Sequence, residues 1–334
     1  MTMEPKSTHR ALALALALML AIALPGCAPK IKIFGPQATE PLEEFTLEGE
    51  GNDKIALVHL TGFLAARPDR GMLHATPSPV QETVSLLKLA GDDEAVRAVV
   101  LAIDSPGGTT TASDILYHEI AAFKQRTGKK VVVAMFDVAA SGGYYAALPA
   151  DWIMAHPTTI TGSVGVVFMR PKLTGLFEKI GVEVEVSKSG PEKDMGSPFR
   201  PTTPEEAALF QAIIDDYAAR FHALVDKHRS LTPANRALVR TARVFTANQA
   251  LAAGLIDQVG YIQDAFAKAR QLAGLGSDAR VVTYRRDAYP NDNPYNTMSA
   301  ADPARANLLG VDASFIMPPR AGFYYVWPQG LSRQ

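Results

Sequence analysis

An α/β fold built on parallel strands is predicted for this chain, and three observations predict it. Two apolar runs, Val99–Ile103 and Val131–Met135, have the length and β-branched content of buried strands. Both end in small-residue turns, Ser105-Pro106-Gly107-Gly108 and Ala140-Ser141-Gly142-Gly143. Each turn leads into a helical pattern, so the segment reads as strand, helix, strand, with parallel strands and a right-handed crossover. The turns then sit at the carboxyl ends of parallel strands, where open α/β sheets place their ligands. A serine followed by two glycines at such a place suits an exposed nucleophile beside backbone anion-binding groups.

The chain begins with a targeting pattern. Lys6 and Arg10 form a basic start, and Ala11–Leu24 follows without a charge. That run falls short of the roughly 20 residues of a membrane span and suits a signal-peptide core. Leu24-Pro25-Gly26-Cys27 resembles a bacterial lipoprotein processing site, where cleavage precedes Cys27 and its sulfur is diacylated. An ordinary secretory signal is the alternative. Multiple acyl chains would anchor the protein stably to membrane lipid where one is marginal. The expected place is the bacterial cell envelope, on the periplasmic side; Ala28 leaves inner and outer membrane both open. Cys27 is the only cysteine, so an intramolecular disulfide is excluded. Residues 28–52, with Pro29, Pro36, Pro41 and acidic residues from Glu40 to Glu50, read as a tether. A net charge of −1 and the absence of basic runs exclude nucleic acid as a partner.

Ile55–Leu60 reads as a buried first strand ending at Thr61-Gly62-Phe63. Gly71–Pro79 is turn-rich, and Val80–Leu89 has helical spacing up to Gly91-Asp92-Asp93. Beyond the central unit, Lys172–Ile180 reads as helix and Val182–Val186 as strand. Pro204-Glu205-Glu206 opens a long amphipathic helix to about His228, with proline and acidic residues in the first turn as the helix dipole prefers. Thr246–Ala253 and Ile262–Leu272 are shorter helices, and Val281–Tyr284 is a last strand. From Arg285 the chain is rich in Pro, Asn and Asp. It closes on an aromatic stretch, Ala321–Pro328, expected to dock, with a neighbouring subunit one possible surface. Residues 276–334 are thus expected to be a less regular extension.

A serine hydroxyl needs a base within hydrogen-bond reach. Of seven histidines, His9 lies in the signal region, and His59, His118, His222 and His228 lie within predicted strand or helix. Only His74 and His156 stand in loops or at a strand end. Lysine is the other base used with serine, and Ser187–Pro198 offers Lys188 and Lys193 in a small-residue loop. Asp104 and Ser105, before Pro-Gly-Gly, read as turn formers. Tyr144 and Tyr145 suit either a substrate pocket or the core.

Five ordered blocks carry a resemblance: IDSPGG, AASGGYYAA, TITGSVGVV, KSGPEKD with a downstream Ser197-Pro198, and RVFTANQALAAGLIDQVG at 243–260. Over about residues 54–270 the chain resembles the signal peptide peptidase A family of Ser–Lys peptidases, in its short form with one catalytic domain. The resemblance implies the fold of Clp protease and crotonase, repeated ββα units with outer helices, and residues 53–275 as the peptidase domain. By position, Ser141 matches the nucleophile and Lys193 the general base. Ser163 matches a serine that positions the lysine ammonium, and the Gly108 and Gly142 amides match the oxyanion hole. No metal or cofactor is implied. Peptides, including signal-peptide remnants and other apolar segments, are the implied substrates. A homo-oligomer is implied in which serine and lysine of one site come from adjacent protomers.

Elementary chemistry supports the match. Glycines at 107, 108, 142 and 143 let a carbonyl approach the backbone without a Cβ in the way. One oxyanion-hole donor is worth about 3–4 kcal/mol in other acyl-transfer enzymes. A neutral Lys193 requires a pKa lowered from about 10.4 to about 7–8, which desolvation supplies, whereas the adjacent Asp194 opposes it. Two other readings compete: an acyl-CoA enzyme of the same fold, disfavoured by export, and a peptide-binding scaffold without catalysis, disfavoured by the full set of Ser, Lys and glycines.

Overall fold

The computed structural model describes residues 40–70, 75–297 and 321–329. The targeting segment, Cys27, the tether up to residue 39, His9 and His74 lie outside them. Strands β1 (Glu43–Glu48) and β2 (Lys54–Thr61) are followed by a short hairpin, β3 (Asp69–Arg70) with β4 (Ala75–Thr76), and by helix α1 (Pro79–Asp92). Then come β5 (Val96–Ser105), β6 (Gly107–Thr109), α2 (Thr110–Thr127), β7 (Lys130–Ala140) and the one-turn α3 (Gly142–Ala147). Short strands β8 (Trp152–Ala155), β9 (Ile160–Gly162) and β10 (Val167–Met169) lead to helices α4 (Thr174–Ile180), α5 (Pro204–His228) and α6 (Pro233–Val239). The chain continues through β11 (Val244–Thr246), α7 (Ala247–Ala253), β12 (Gln258–Val259), α8 (Ile262–Ala273) and β13 (Arg280–Arg285) to β14 (Gly322–Val326).

The main sheet runs β1-β13-β2-β5-β7-β8-β12. Its neighbours are parallel except for the antiparallel pair of β1 with β13. Alternation along each strand divides the core in two. Ile55, Leu57, Val100 and Val132 face α8 through Ile262, Ala265 and Phe266. Val58, Leu60, Leu101, Ile103 and Val133 face the other way, onto Leu86 of α1 and Leu116, Ile120 and Phe123 of α2. Burial on both faces explains why these strands read as unbroken apolar runs. Each such side chain contributes about 1.5–3 kcal/mol.

Local signals set the helix ends. Ser78 Oγ accepts from the Gln81 N–H at 3.1 Å ahead of Pro79, and Thr203 and Glu206 form a reciprocal capping box at the start of α5. α2 stops at Gly128, whose φ of 69° suits glycine. The feature that places the site is the length of β7. Its Val132–Met135 segment pairs with β8, while Val138–Ala140 runs on to pair with β9. The strand thereby carries Ser141 past the edge of its first partner.

Three expectations are corrected. Val182–Val186 is not a strand: among the described residues no strand pairs with it, and Val184 is 45% exposed. The last part of the expected tether is β1, which pairs with β13. The aromatic stretch near the C-terminal end docks on its own chain, as β14 between β10 and β6.

Candidate active site

Ser141 joins the end of β7 to α3 with φ 52° and ψ −112°, a conformation rare for a residue with a Cβ. Two backbone bonds hold it there. Its N–H donates to the Gly162 carbonyl at 2.8 Å, and its carbonyl accepts from the Tyr145 N–H at 2.8 Å. The side chain is 1% exposed, and its Oγ has no hydrogen-bond partner among the described residues. A buried hydroxyl left unpaired costs stability, and such costs concentrate at functional sites. The N–H groups of Gly142 and Gly143 open α3, where a helix offers them no acceptor of its own.

The second glycine pair is brought alongside by the Ser105 turn. Ser105 Oγ donates to the Gly62 carbonyl at 2.7 Å and accepts from the Gly107 N–H at 3.1 Å. Ser105 is therefore the turn former the sequence suggests. Asp104 has the same kind of task, accepting from the Val138 N–H at 3.0 Å, and burial pushes its carboxyl above the usual range. The Gly107 carbonyl and Thr109 N–H both bond Leu64, at 2.9 Å each. Strand alternation then turns the Gly108 N–H to the opposite side. The approach is close: a Cβ on Gly107 would stand 2.7 Å from the Gly142 nitrogen, and one on Gly108 would overlap the Leu64 backbone.

Ser163 follows Gly162, the residue that accepts the Ser141 N–H, and has φ 52° as well. It is half-buried, its N–H donating to the Arg243 carbonyl at 2.8 Å. Ser141, Ser163, Gly108 and Gly142 thus belong to one neighbourhood. Lys193 does not join them within the chain. It lies exposed in the loop after α4, and the unpartnered Ser141 Oγ shows that the two do not meet.

That loop is organised around Asp194, chiefly by Arg200, to which sequence reasoning attached no role. Arg200 grips the Asp194 carboxylate with two N–H···O bonds of 2.8 Å and also pairs with the buried Glu206. Lys188 Nζ donates to Asp194 Oδ1 and to the Pro191 carbonyl, each at 2.8 Å. The Arg200 guanidinium, followed by the Lys188 ammonium, holds the Asp194 carboxyl well below the usual carboxylate range. The Asp194 carboxylate is therefore engaged by Arg200 and Lys188. Lys188 is thus ion-paired with Asp194. His156 bonds Thr158 at 2.8 Å and packs edge-on against Tyr261, so the loop histidine is structural. Tyr144, fully buried, donates to the Leu255 carbonyl at 2.7 Å, while Tyr145, also fully buried, donates to Asp114 at 2.7 Å. No group of three or more His, Cys, Asp or Glu suited to a metal ion occurs among the described residues.

Comparison with known proteins agrees with this geometry. The profile of Peptidase family S49 matches residues 123–276. A candidate protease of Synechocystis is 39% identical over 226 residues, covering 67% of this chain and 76% of that protein. The chain belongs to peptidase family S49. Within the family it resembles the candidate signal peptide peptidase SppA of Enterococcus faecium, 33% identical over 250 residues, which cover 75% of this chain and 72% of that protein. The S49 chain is accordingly a serine peptidase, and its fold is of the mixed α/β class. Among solved structures, a ClpP1 mutant from Listeria monocytogenes overlays with a TM-score of 0.40 at 15% identity, covering 63% of this chain and 93% of that one.

Proposed function

We propose that this S49 peptidase is an endopeptidase anchored in the cell envelope through a lipidated Cys27, acting outside the cytoplasm on apolar peptides such as signal-peptide remnants. Ser141 is the nucleophile and Lys193 of an adjacent protomer is the base. The observation that carries the reading is the Ser141 hydroxyl, buried, without a hydrogen-bond partner among the described residues, and held at positive φ beside the buried Gly108 and Gly142. Neutral Lys193 Nζ takes the Oγ proton as Oγ bonds to the peptide carbonyl carbon. The carbonyl oxygen, now negative, rests on the Gly108 and Gly142 N–H groups. Lys193 returns the proton to the departing amine as the C–N bond breaks, and water then hydrolyses the ester. Ser163 orients the ammonium. Strong, fixed hydrogen bonds to the developing oxyanion supply the largest share of the rate.

The exposed apolar surface around Lys193 supports assembly. α4 buries none of its residues, and Ile180 and Leu176 stand 59% and 53% exposed near Val182, Val184 and Val186. Apolar surface of that extent on one segment marks an interface. The test is hydrolysis of an apolar fluorogenic peptide by the chain from residue 28 onward, at about pH 6–10, beside Ser141→Ala and Lys193→Ala. Both substitutions should cost at least about 10³-fold without changing assembly. The wild-type rate should rise with pH as the lysine loses its proton. Activity that survives Lys193→Ala removes Lys193 as the base. A wild type inert in every oligomeric fraction removes the peptidase mechanism.

A further inference from the structure

The groove beside Ser141 is filled by the chain itself. β14 is the middle strand of a three-stranded antiparallel sheet, with β6 on one edge and β10 on the other. Tyr325 stands opposite Gly108 and Val326 opposite Gly107, and the Trp327 N–H donates to the Pro106 carbonyl at 2.9 Å. In an antiparallel ladder, hydrogen-bonded pairs recur every second residue. Two steps from the Trp327–Pro106 bond, the Gly108 N–H is therefore directed at the Tyr325 carbonyl. The same oxygen lies over the other glycine: a Cβ built on Gly142 would stand 2.9 Å from it. One carbonyl oxygen thus rests between the two glycines assigned to the oxyanion hole.

The side chain of that residue fills a pocket. Tyr325 is 1% exposed. Its ring stacks on Tyr145 with centroids 5.0 Å apart and planes 21° apart, and it leans on Phe221 at 5.1 Å. At the far end its hydroxyl donates to the Tyr217 carbonyl at 2.8 Å. On the other edge, Gly322, Phe323 and Tyr324 pair with Met169, Phe168 and Val167.

We propose that β14 is held as a substrate strand is held, and that the pocket of Tyr145, Phe221 and Tyr217 receives the residue on the acyl side of the cut bond and selects aromatic side chains. This rests on the reading of Ser141 as nucleophile and names the substrate class for it. Ladder bonds on both edges bind any extended peptide, and side-chain pockets supply the discrimination. An aromatic ring gains area on Tyr145 and Phe221, and a tyrosine hydroxyl also finds the Tyr217 carbonyl. β14 must leave before another peptide enters, so its occupancy lowers the apparent affinity for peptides by the fraction of chains with an open groove.

The test is a titration of the full chain carrying Ser141→Ala, which cuts nothing, with a fluorescein-labelled FYYVWP peptide. A second protein carries Tyr325→Ala as well. The added substitution should tighten binding at least about tenfold, since the competing strand has lost its anchor. Alanine in place of the second tyrosine of the peptide should weaken binding at least about tenfold. Equal affinity of the two proteins, with unchanged circular dichroism, overturns the proposal. Where Tyr325→Ala does not fold, the wild-type chain decides. Cut sites in an unfolded protein digest, mapped by mass spectrometry, should follow Tyr or Phe, and a majority following Ala or Leu overturns the pocket. The two readings fail separately. Peptide binding that answers to Tyr325 without Ser141-dependent cutting keeps the groove and removes the nucleophile. Ser141-dependent cutting with no competition from β14 does the reverse.

Discussion

The serine side and the lysine side of this site are built to different standards. Ser141 stands at the end of an 11-residue strand, on a core buried on both faces, and its backbone conformation is fixed by two hydrogen bonds. Lys193 stands in a loop whose order comes from a partly buried ionic cluster, beside a helix with no fully buried residue. A hydroxyl that must meet a carbonyl to within a fraction of an ångström needs the first kind of support. A loop of the second kind, with Leu176, Ile180 and Val184 uncovered nearby, is where the proposed reading puts a second copy. On the proposed reading, the difference means that the single chain builds the nucleophile and oxyanion hole and leaves the base to an assembly.

The largest effect should come from charging that surface. Val184→Glu should give inactive monomers, a loss of about 100-fold or more, with circular dichroism unchanged because Val184 is exposed and outside the core. Sedimentation at matched concentration reads the assembly; an active monomer would place both halves in one chain. A smaller but more pointed effect is complementation. Ser141→Ala and Lys193→Ala chains are each inactive. After co-assembly in equal amounts, about a quarter of the interfaces join an intact serine to an intact lysine, if each site is shared between neighbours. Recovery of about that share of the wild-type rate is expected, and none at all would mean pairing within one chain. Smaller again is Lys188→Met. It removes one exposed partner of Asp194 and leaves Arg200 in place, so more than about a third of the activity should remain. Complete loss would transfer the base to Lys188.

The same contrast explains what could be read in advance. The serine side is local: apolar runs, Pro-Gly-Gly and Ser-Gly-Gly turns lie within about 70 residues and report their own structure. The ionic cluster was half visible, since Lys188, Asp194 and Arg200 are close in sequence, but only folding shows that Asp194 is engaged by the other two. β14 carried no local signal of its destination. Its aromatic residues pair with Gly107–Thr109, more than 200 positions earlier, and no periodicity encodes such a partner. Val182–Val186 shows the opposite case. Its alternation is real strand patterning, yet no strand among the described residues pairs with it. The pattern describes a surface this chain offers, not one it uses.

Acid should separate the two halves once more, through stability on one side and chemistry on the other. His59 lies on β2, paired with Ala102 of β5, the strand that leads into the Ser105 turn. Burial pushes its imidazole down to about 4, with the Arg285 charge adding to the effect, and neither ring nitrogen has a hydrogen-bond partner among the described residues. The folded state therefore prefers the neutral ring. Its contribution is fully present above the unfolded pKa of about 6.5 and is lost as pH falls through about 4. The loss amounts to about 3 kcal/mol. Urea unfolding of the wild type at several pH values across that window should show the decline, and His59→Met should flatten it while leaving stability near pH 8 within about 1.5 kcal/mol. If the proposed base rather than the core sets the acid limit, activity lost on acidification should return at once on neutralisation, and His59→Met should leave the activity profile unchanged. If activity and stability instead decline together and His59→Met shifts both, the acid limit belongs to the core, and the pH–rate profile says nothing about the lysine.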